Sequence, residues 1–190
     1  MARKKTIQRE QIIDVSMQII LNHGLKSLTA RRIALEMKCS TQPIYLEFKN
    51  MDELKETIFS DVFKKLEEEI YPQYKHDDPI VNLGLNYIEF AANEKRLFGS
   101  LFVEKQNNDR LLKFSDQYFR KILKTSVKYK DLPDETVRSL LYGTWIIATG
   151  IAIMSSTEVL IPDDAKTIQM IQDGIAAMMQ LKSPLFSRIG

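Results

Sequence analysis

Four side chains able to hydrogen-bond or carry charge, Thr41, Gln42, Tyr45 and Lys49, fall at helical spacing around two apolar ones, Ile44 and Phe48. Residues four apart share one side of a helix, so Ile44 and Phe48 face a core and the polar four face outward. That outward chemistry suits nucleic acid. An amide reads adenine through paired hydrogen bonds, hydroxyls reach bases or phosphates, and an ammonium meets phosphate. Ser40 is placed to cap this helix, and Pro43 falls in its first turn, where a missing N–H costs little. The positive end of the helix dipole points the same way, toward phosphate.

Other chemistries find no support. There is no Gly-x-Ser-x-Gly elbow, no His-Glu-x-x-His, and no phosphate-loop or dinucleotide fingerprint. Cys39 is the single cysteine, so no internal disulfide forms, and with His23 and His76 it cannot complete a structural zinc site. The expectation is a non-enzyme without metal or cofactor. Cys39 reads as a small buried hydrophobe, His23 as a partner of its helix C-terminus, and His76 as loop.

The elements that must position the polar four are helices. A short helix over 30–37 with Ile33, Ala34 and Met37 inward, the turn Lys38-Cys39-Ser40 and a helix over 41–48 make a helix-turn-helix by length. Thr29 caps the first of these. A longer helix precedes them, with Thr6 as its cap and Gly24 as a left-handed C-cap. Asp52 is expected to cap a fourth helix, which ends before Pro72. Asp78-Pro79 opens another. Further helices are expected around 97–103, from about 108 to 129, after Leu132-Pro133-Asp134, and after Pro162-Asp163. No alternating β-branched run occurs. The fold class is therefore all-α with about nine helices.

Charge divides the chain. Residues 1–50 hold nine Lys/Arg against four Asp/Glu, a net of +5, and residues 51–190 hold eighteen against twenty-one, a net of −3. A basic head over 1–50 and a mildly acidic body over 51–190 are expected, with double-stranded DNA as the head's partner. Arg3, Lys4 and Lys5 read equally as a DNA-contacting arm or a solvated peptide. The start lacks the apolar run of a signal peptide, and the uncharged stretch after Arg138 has an apolar centre, 140–154, of only about 22 Å as a helix. It is expected to be a core or subunit-interface helix, in a cytoplasmic protein with no membrane partner.

The runs Leu28-Thr-Ala-Arg-Arg-Ile-Ala and Cys39-Ser-Thr-Gln-Pro-Ile-Tyr-Leu-Glu-Phe-Lys-Asn-Met-Asp-Glu-Leu54 resemble the TetR/AcrR family of bacterial transcriptional regulators. The resemblance covers residues 7–60. It implies a three-helix DNA-binding domain followed by about six effector-binding and dimerising helices. It also implies DNA contacts from Thr29, Arg31, Thr41, Gln42, Pro43, Tyr45 and Lys49, alongside Ser40. The sequence departs from the family at Lys38, usually Gly, Cys39, usually Val, Ser16, usually a small Ala, Met51, often a phosphate-contacting Lys, and Glu47, in some members His.

On this reading the chain is a ligand-responsive regulator, a repressor that binds a palindromic operator as a homodimer and is released by an unidentified small-molecule effector. The alternative is a TetR-like organiser of chromosomes or division, without an effector. The large residues Phe63, Tyr87, Phe90, Phe102, Tyr118 and Trp145 are the candidate effector-pocket lining. Gly143, Gly150, Ile171, Ile175 and Met178 are the candidate dimer contacts.

Overall fold

A computed structural model describes residues 7–103, 108–159 and 162–181. Among the described residues all regular structure is helical, as the sequence implied. The helices are α1 (Arg9–His23), α2 (Ala30–Glu36), α3 (Gln42–Glu47), α4 (Met51–Lys65), α5 (Pro79–Asn93), α6 (Lys95–Phe98), α7 (Asn108–Lys124), α8 (Asp134–Ser156) and α9 (Asp164–Met179). Leu25–Ser27 is a 3₁₀ turn, and π-helical turns follow α4 at Leu66–Ile70 and α6 at Gly99–Val103. The basic arm at Arg3, Lys4 and Lys5 lies outside the described residues, as does Thr6.

Two compact units emerge. One takes the described residues of Met1–Lys65 and Arg96–Lys105, the other those of Leu66–Lys95 and Gln106–Gly190. The charge-based division at 50/51 thus differs from compactness, which groups α4 with the head. There α4 packs on α1 and buries Leu54, Ile58 and Phe59.

Several helix ends differ from expectation, each for a local reason. α1 starts at Arg9 behind Gln8 rather than at Thr6, with the Gln8 N–H donating to Gln11 Oε1 at 3.0 Å. Gly24 has the expected positive φ, 78°, but its ψ of 165° lies in an extended region that side chains exclude, not in the left-handed helical one. Thr41, not Ser40, precedes α3. Asn50, not Asp52, caps α4, its Oδ1 accepting the Glu53 N–H at 2.9 Å. α7 ends at Lys124 instead of Tyr129, because the chain turns through Ser126, whose carbonyl accepts the N–H groups of Tyr129 and Lys130.

Thr29 and Asp78 cap as expected. Thr29 Oγ1 accepts the Arg32 N–H at 3.2 Å, and Asp78 accepts from Ile80 and Val81. α2 closes in a Schellman motif. Cys39 N–H donates to the Ala34 carbonyl at 2.9 Å and Lys38 N–H to that of Leu35 at 3.2 Å, with Lys38 at φ 53°. That backbone explains why the resembling family places glycine there, since only glycine adopts positive φ without steric cost.

In the second unit α5, α8 and α9 pack on one another, and α7 packs on α5 and α8. The core holds Ile80, Val81, Phe119, Leu123, Tyr129, Leu140, Ile171 and Ile175. α8 and α9 approach closely. A Cβ on Gly143 would fall 2.5 Å from Met178 Sδ, and one on Gly174 would collide with Ile147. Four of the five expected dimer contacts pack within the unit itself. Ile171 is 0% exposed, Ile175 is buried, and Gly143 is filled by Met178 from the same chain, so these residues build the unit's own core. Gly150 does face open space. The outward side of α8 is instead Ile146, Gly150, Ile153 and Met154. α8 has the length and composition of a membrane span, with mean hydropathy 1.4, but half of that stretch is buried within the unit, as suits a core helix.

Candidate functional site

α3 is short, and its amphipathic division is sharp. Ile44 and Phe48 are each 1% exposed, while Thr41, Gln42, Tyr45 and Lys49 are exposed and Pro43 is half-buried. The Thr41, Gln42 and Tyr45 side chains make no hydrogen bond among the described residues, nor does the Lys49 ammonium. Thr29, Arg31 and Ser40 are exposed as well. Arg31 pairs with no carboxylate among the described residues. Its neighbour Arg32 does, meeting Glu36 at 2.9 Å and His23 Nε2 at 3.1 Å. Cys39 is half-buried rather than fully buried, a free thiol in the turn.

Arg9 holds this helix in place, and the sequence reading missed it. Its guanidinium lies 4.0 Å from the Phe48 ring centroid, donates to the Glu47 carbonyl at 2.6 Å and to Thr57 Oγ1 at 3.1 Å, and meets Glu53 at 3.5 Å. One cation thus satisfies a carbonyl at the open C-terminal end of α3 and ties it to α4. Glu53 also accepts the Lys49 N–H at 2.8 Å. The only trace of this in the sequence is a charge in the first turn of α1, which any solvated helix start would show. At the other end of α3 the Ile44 and Tyr45 N–H groups both donate to the Thr41 carbonyl, and the exposed amide and hydroxyls with the Lys49 charge form one polar surface.

The six candidate pocket residues separate. Phe63 and Phe102 belong to the first unit, where Phe102 stacks on Phe98 at 5.2 Å. Tyr87, Phe90, Tyr118 and Trp145 belong to the second. There Trp145 Nε1 donates to the Tyr87 hydroxyl at 3.1 Å, and that hydroxyl meets Thr149 Oγ1 at 2.9 Å. Tyr71, also missed because it reads as a helix end before Pro72, lies 5.2 Å from Tyr118 and 6.4 Å from Phe114, ring to ring.

Burial pushes both the Tyr87 and Tyr118 phenols up to about 12. Hydrogen bonds from Thr149 and Trp145 oppose the shift at Tyr87, and the Glu67 charge adds to it at Tyr118. The Tyr71 phenol is raised as well, by burial first and then by its neighbours Tyr87 and Tyr118. All three are neutral donors at pH 7. The Tyr71 and Tyr118 side chains are buried, 5% and 7% exposed. A separate groove of about 460 Å³ in this unit is lined by Leu85, Ile88, Glu89, Ile151, Thr167 and Ile168, among others, and by none of the six candidates.

No family model matches the sequence, and no curated protein matches it. Among solved structures, the crystal structure of a TetR point variant from Acinetobacter baumannii AYE in complex with minocycline is similar, with a TM-score of 0.58 over 93% of this chain and 99% of that one, at 13% identity. At that identity the likeness shows the fold, which is that of a TetR regulator.

Proposed function

We propose that the chain is a ligand-responsive transcriptional regulator of the TetR type, a repressor that acts in the cytoplasm as a homodimer on a palindromic operator. The observation that carries it is the surface of α3 and its two ends, where Thr41, Gln42, Tyr45 and Lys49 stand exposed beside the buried pair Ile44 and Phe48. Thr29, Arg31, Ser40 and Pro43 flank that face, with the hydroxyls, guanidinium and ammonium fixing register on phosphates and Gln42 reading a base edge.

Dimerisation is supported by the outward sides of α8 and α9, where Ile146 is 61% exposed and Ile153, Met154, Met170 and Met179 also meet solvent. A stripe of this kind needs a cover, and a second copy supplies one with the two-fold symmetry a palindrome matches. The effector site is the cluster of Tyr71, Tyr87, Tyr118 and Trp145. Neutral phenols on buried side chains can donate to a ligand's acceptor atoms, and the similar regulator's complex with minocycline agrees with a ligand-responsive body. Such a ligand releases DNA only by its differential affinity for a state whose recognition helices are wrongly spaced.

Capture of random double-stranded fragments by the purified protein, followed by sequencing, tests the reading. An inverted repeat shared among the retained fragments is expected. Fragments with no common sequence would overturn it.

A further inference from the structure

The outward side of α3 carries one residue that the contacts above leave unused. Leu46 is 75% exposed, and nothing in its own unit covers it. Of the four exposed large apolar residues that unit describes, Leu35, Tyr45 and Leu46 sit in the helix-turn-helix, and Val103 is the fourth. Leu46 follows Gln42 by four residues, so the two side chains share one ridge of the helix. Its isobutyl group can satisfy no phosphate, and setting it against one would strip the anion of water without a compensating hydrogen bond. The major groove offers one apolar group, the C5-methyl of thymine.

We infer that Leu46 is a specificity-determining contact for a thymine methyl group, within two base pairs of the position that Gln42 reads. The spacing follows from the helix. Four residues advance the chain about 6 Å, and base pairs are about 3.4 Å apart. Gln42 pairs with adenine and Leu46 packs on a thymine methyl, so together they select an A·T-containing step in each half-site. The inference rests on the DNA-reading proposal and adds to it a named base and a named atom.

Uracil is thymine without the methyl group, which makes the test direct. Within the captured operator, each thymine of a half-site is replaced in turn by deoxyuridine, and binding of the parent protein and of Leu46→Ala is titrated. At one thymine the parent should lose about fourfold in affinity per half-site, the value of one buried methyl. Leu46→Ala should show the same loss on the thymine operator and no further loss on the uracil one. Its thermal unfolding should match the parent, since an exposed side chain contributes little to packing. If no thymine is sensitive in the parent, or if Leu46→Ala remains equally sensitive to uracil, the inference is overturned while operator binding stands. If no operator is captured at all, the DNA-reading proposal fails and the inference falls with it.

Discussion

Removing the carboxylate of Asp78 tests how the second unit is held together. The side chain accepts the N–H groups of Ile80 at 3.0 Å and Val81 at 3.4 Å, capping α5. Its Oδ2 accepts the Tyr129 hydroxyl at 2.6 Å and the Lys128 ammonium at 2.8 Å. Loss of the cap in Asp78→Ala costs about 1 kcal/mol. Tyr129 is 1% exposed, so its orphaned hydroxyl adds about 1–2 kcal/mol. The Lys128 side chain is 59% exposed and its pair adds under about 1 kcal/mol. The expected loss is about 3 kcal/mol, or roughly 6–12 °C in Tm for a chain of this size. Asp78→Asn keeps an acceptor and a good cap, so it should lose only about 1 kcal/mol.

Urea unfolding followed by the fluorescence of Trp145, the single tryptophan, reads the same unit. The pH dependence has a defined sign. Burial raises the Asp78 pKa, but hydrogen bonds from Lys128, Tyr129 and the Ile80 N–H outweigh it and hold the group below 3.8. Its stabilisation is therefore present above the ordinary carboxylate range and is lost as pH falls through the folded value. The gap between parent and Asp78→Asn should stay flat from about pH 5 to 8 and close in stronger acid. A loss below about 1 kcal/mol in Asp78→Ala, or equal losses in Ala and Asn, would refute this account of the cap and the buried hydroxyl.

Four further outcomes are expected. Ser16, where the resembling family has alanine, is 0% exposed with an unpartnered hydroxyl on α1 in the first unit, so Ser16→Ala should raise stability by about 1 kcal/mol in urea unfolding followed by circular dichroism, which reports the helices of both units. Lys38→Gly relieves a positive φ of 53° but gives the unfolded chain more freedom, leaving a net gain of up to about 1 kcal/mol; a net loss would mean the turn is not strained. In operator titrations at several salt concentrations, Lys49→Ala should weaken all sequences alike and lower the salt slope by about one per half-site, whereas Gln42→Ala should cost about 1–3 kcal/mol and relax one position only. A glutamate at Ile146, 61% exposed on α8, should turn a sedimenting dimer into a folded monomer; an unchanged dimer would place the interface elsewhere.

Local patterns carried the sequence reading wherever the physics was local. Ile44 and Phe48 are four apart, and that spacing predicted the buried pair, although Phe48 follows α3 in an extended conformation instead of continuing its turns. Thr29, Asp78 and Asp163 cap their helices because a short oxygen-bearing side chain satisfies N–H groups two or three residues on. The all-helical fold was legible for the same reason. The caps expected at Thr6, Ser40 and Asp52 lie one or two residues from the observed helix boundaries at Gln8, Thr41 and Asn50, since neighbouring polar residues offer similar starts and only the chain's path selects among them.

Tertiary structure decided what distance along the chain conceals. Arg9 reaches the Glu47 carbonyl 38 residues away, and Tyr71 meets Phe114 and Tyr118 across more than forty. Tyr71 itself gave only the signal of a helix ending at a proline. In α8 and α9, apolar residues occur on several sides, so periodicity could not tell core from surface. Gly143 and Gly174 let the two helices approach until Met178 and Ile147 fill the space, and that approach turned Ile171 and Ile175 inward and left Ile146 and Met154 outside. Composition supplies apolar surface, but which part of it is buried depends on which neighbour comes closest, and that is a property of packing in three dimensions.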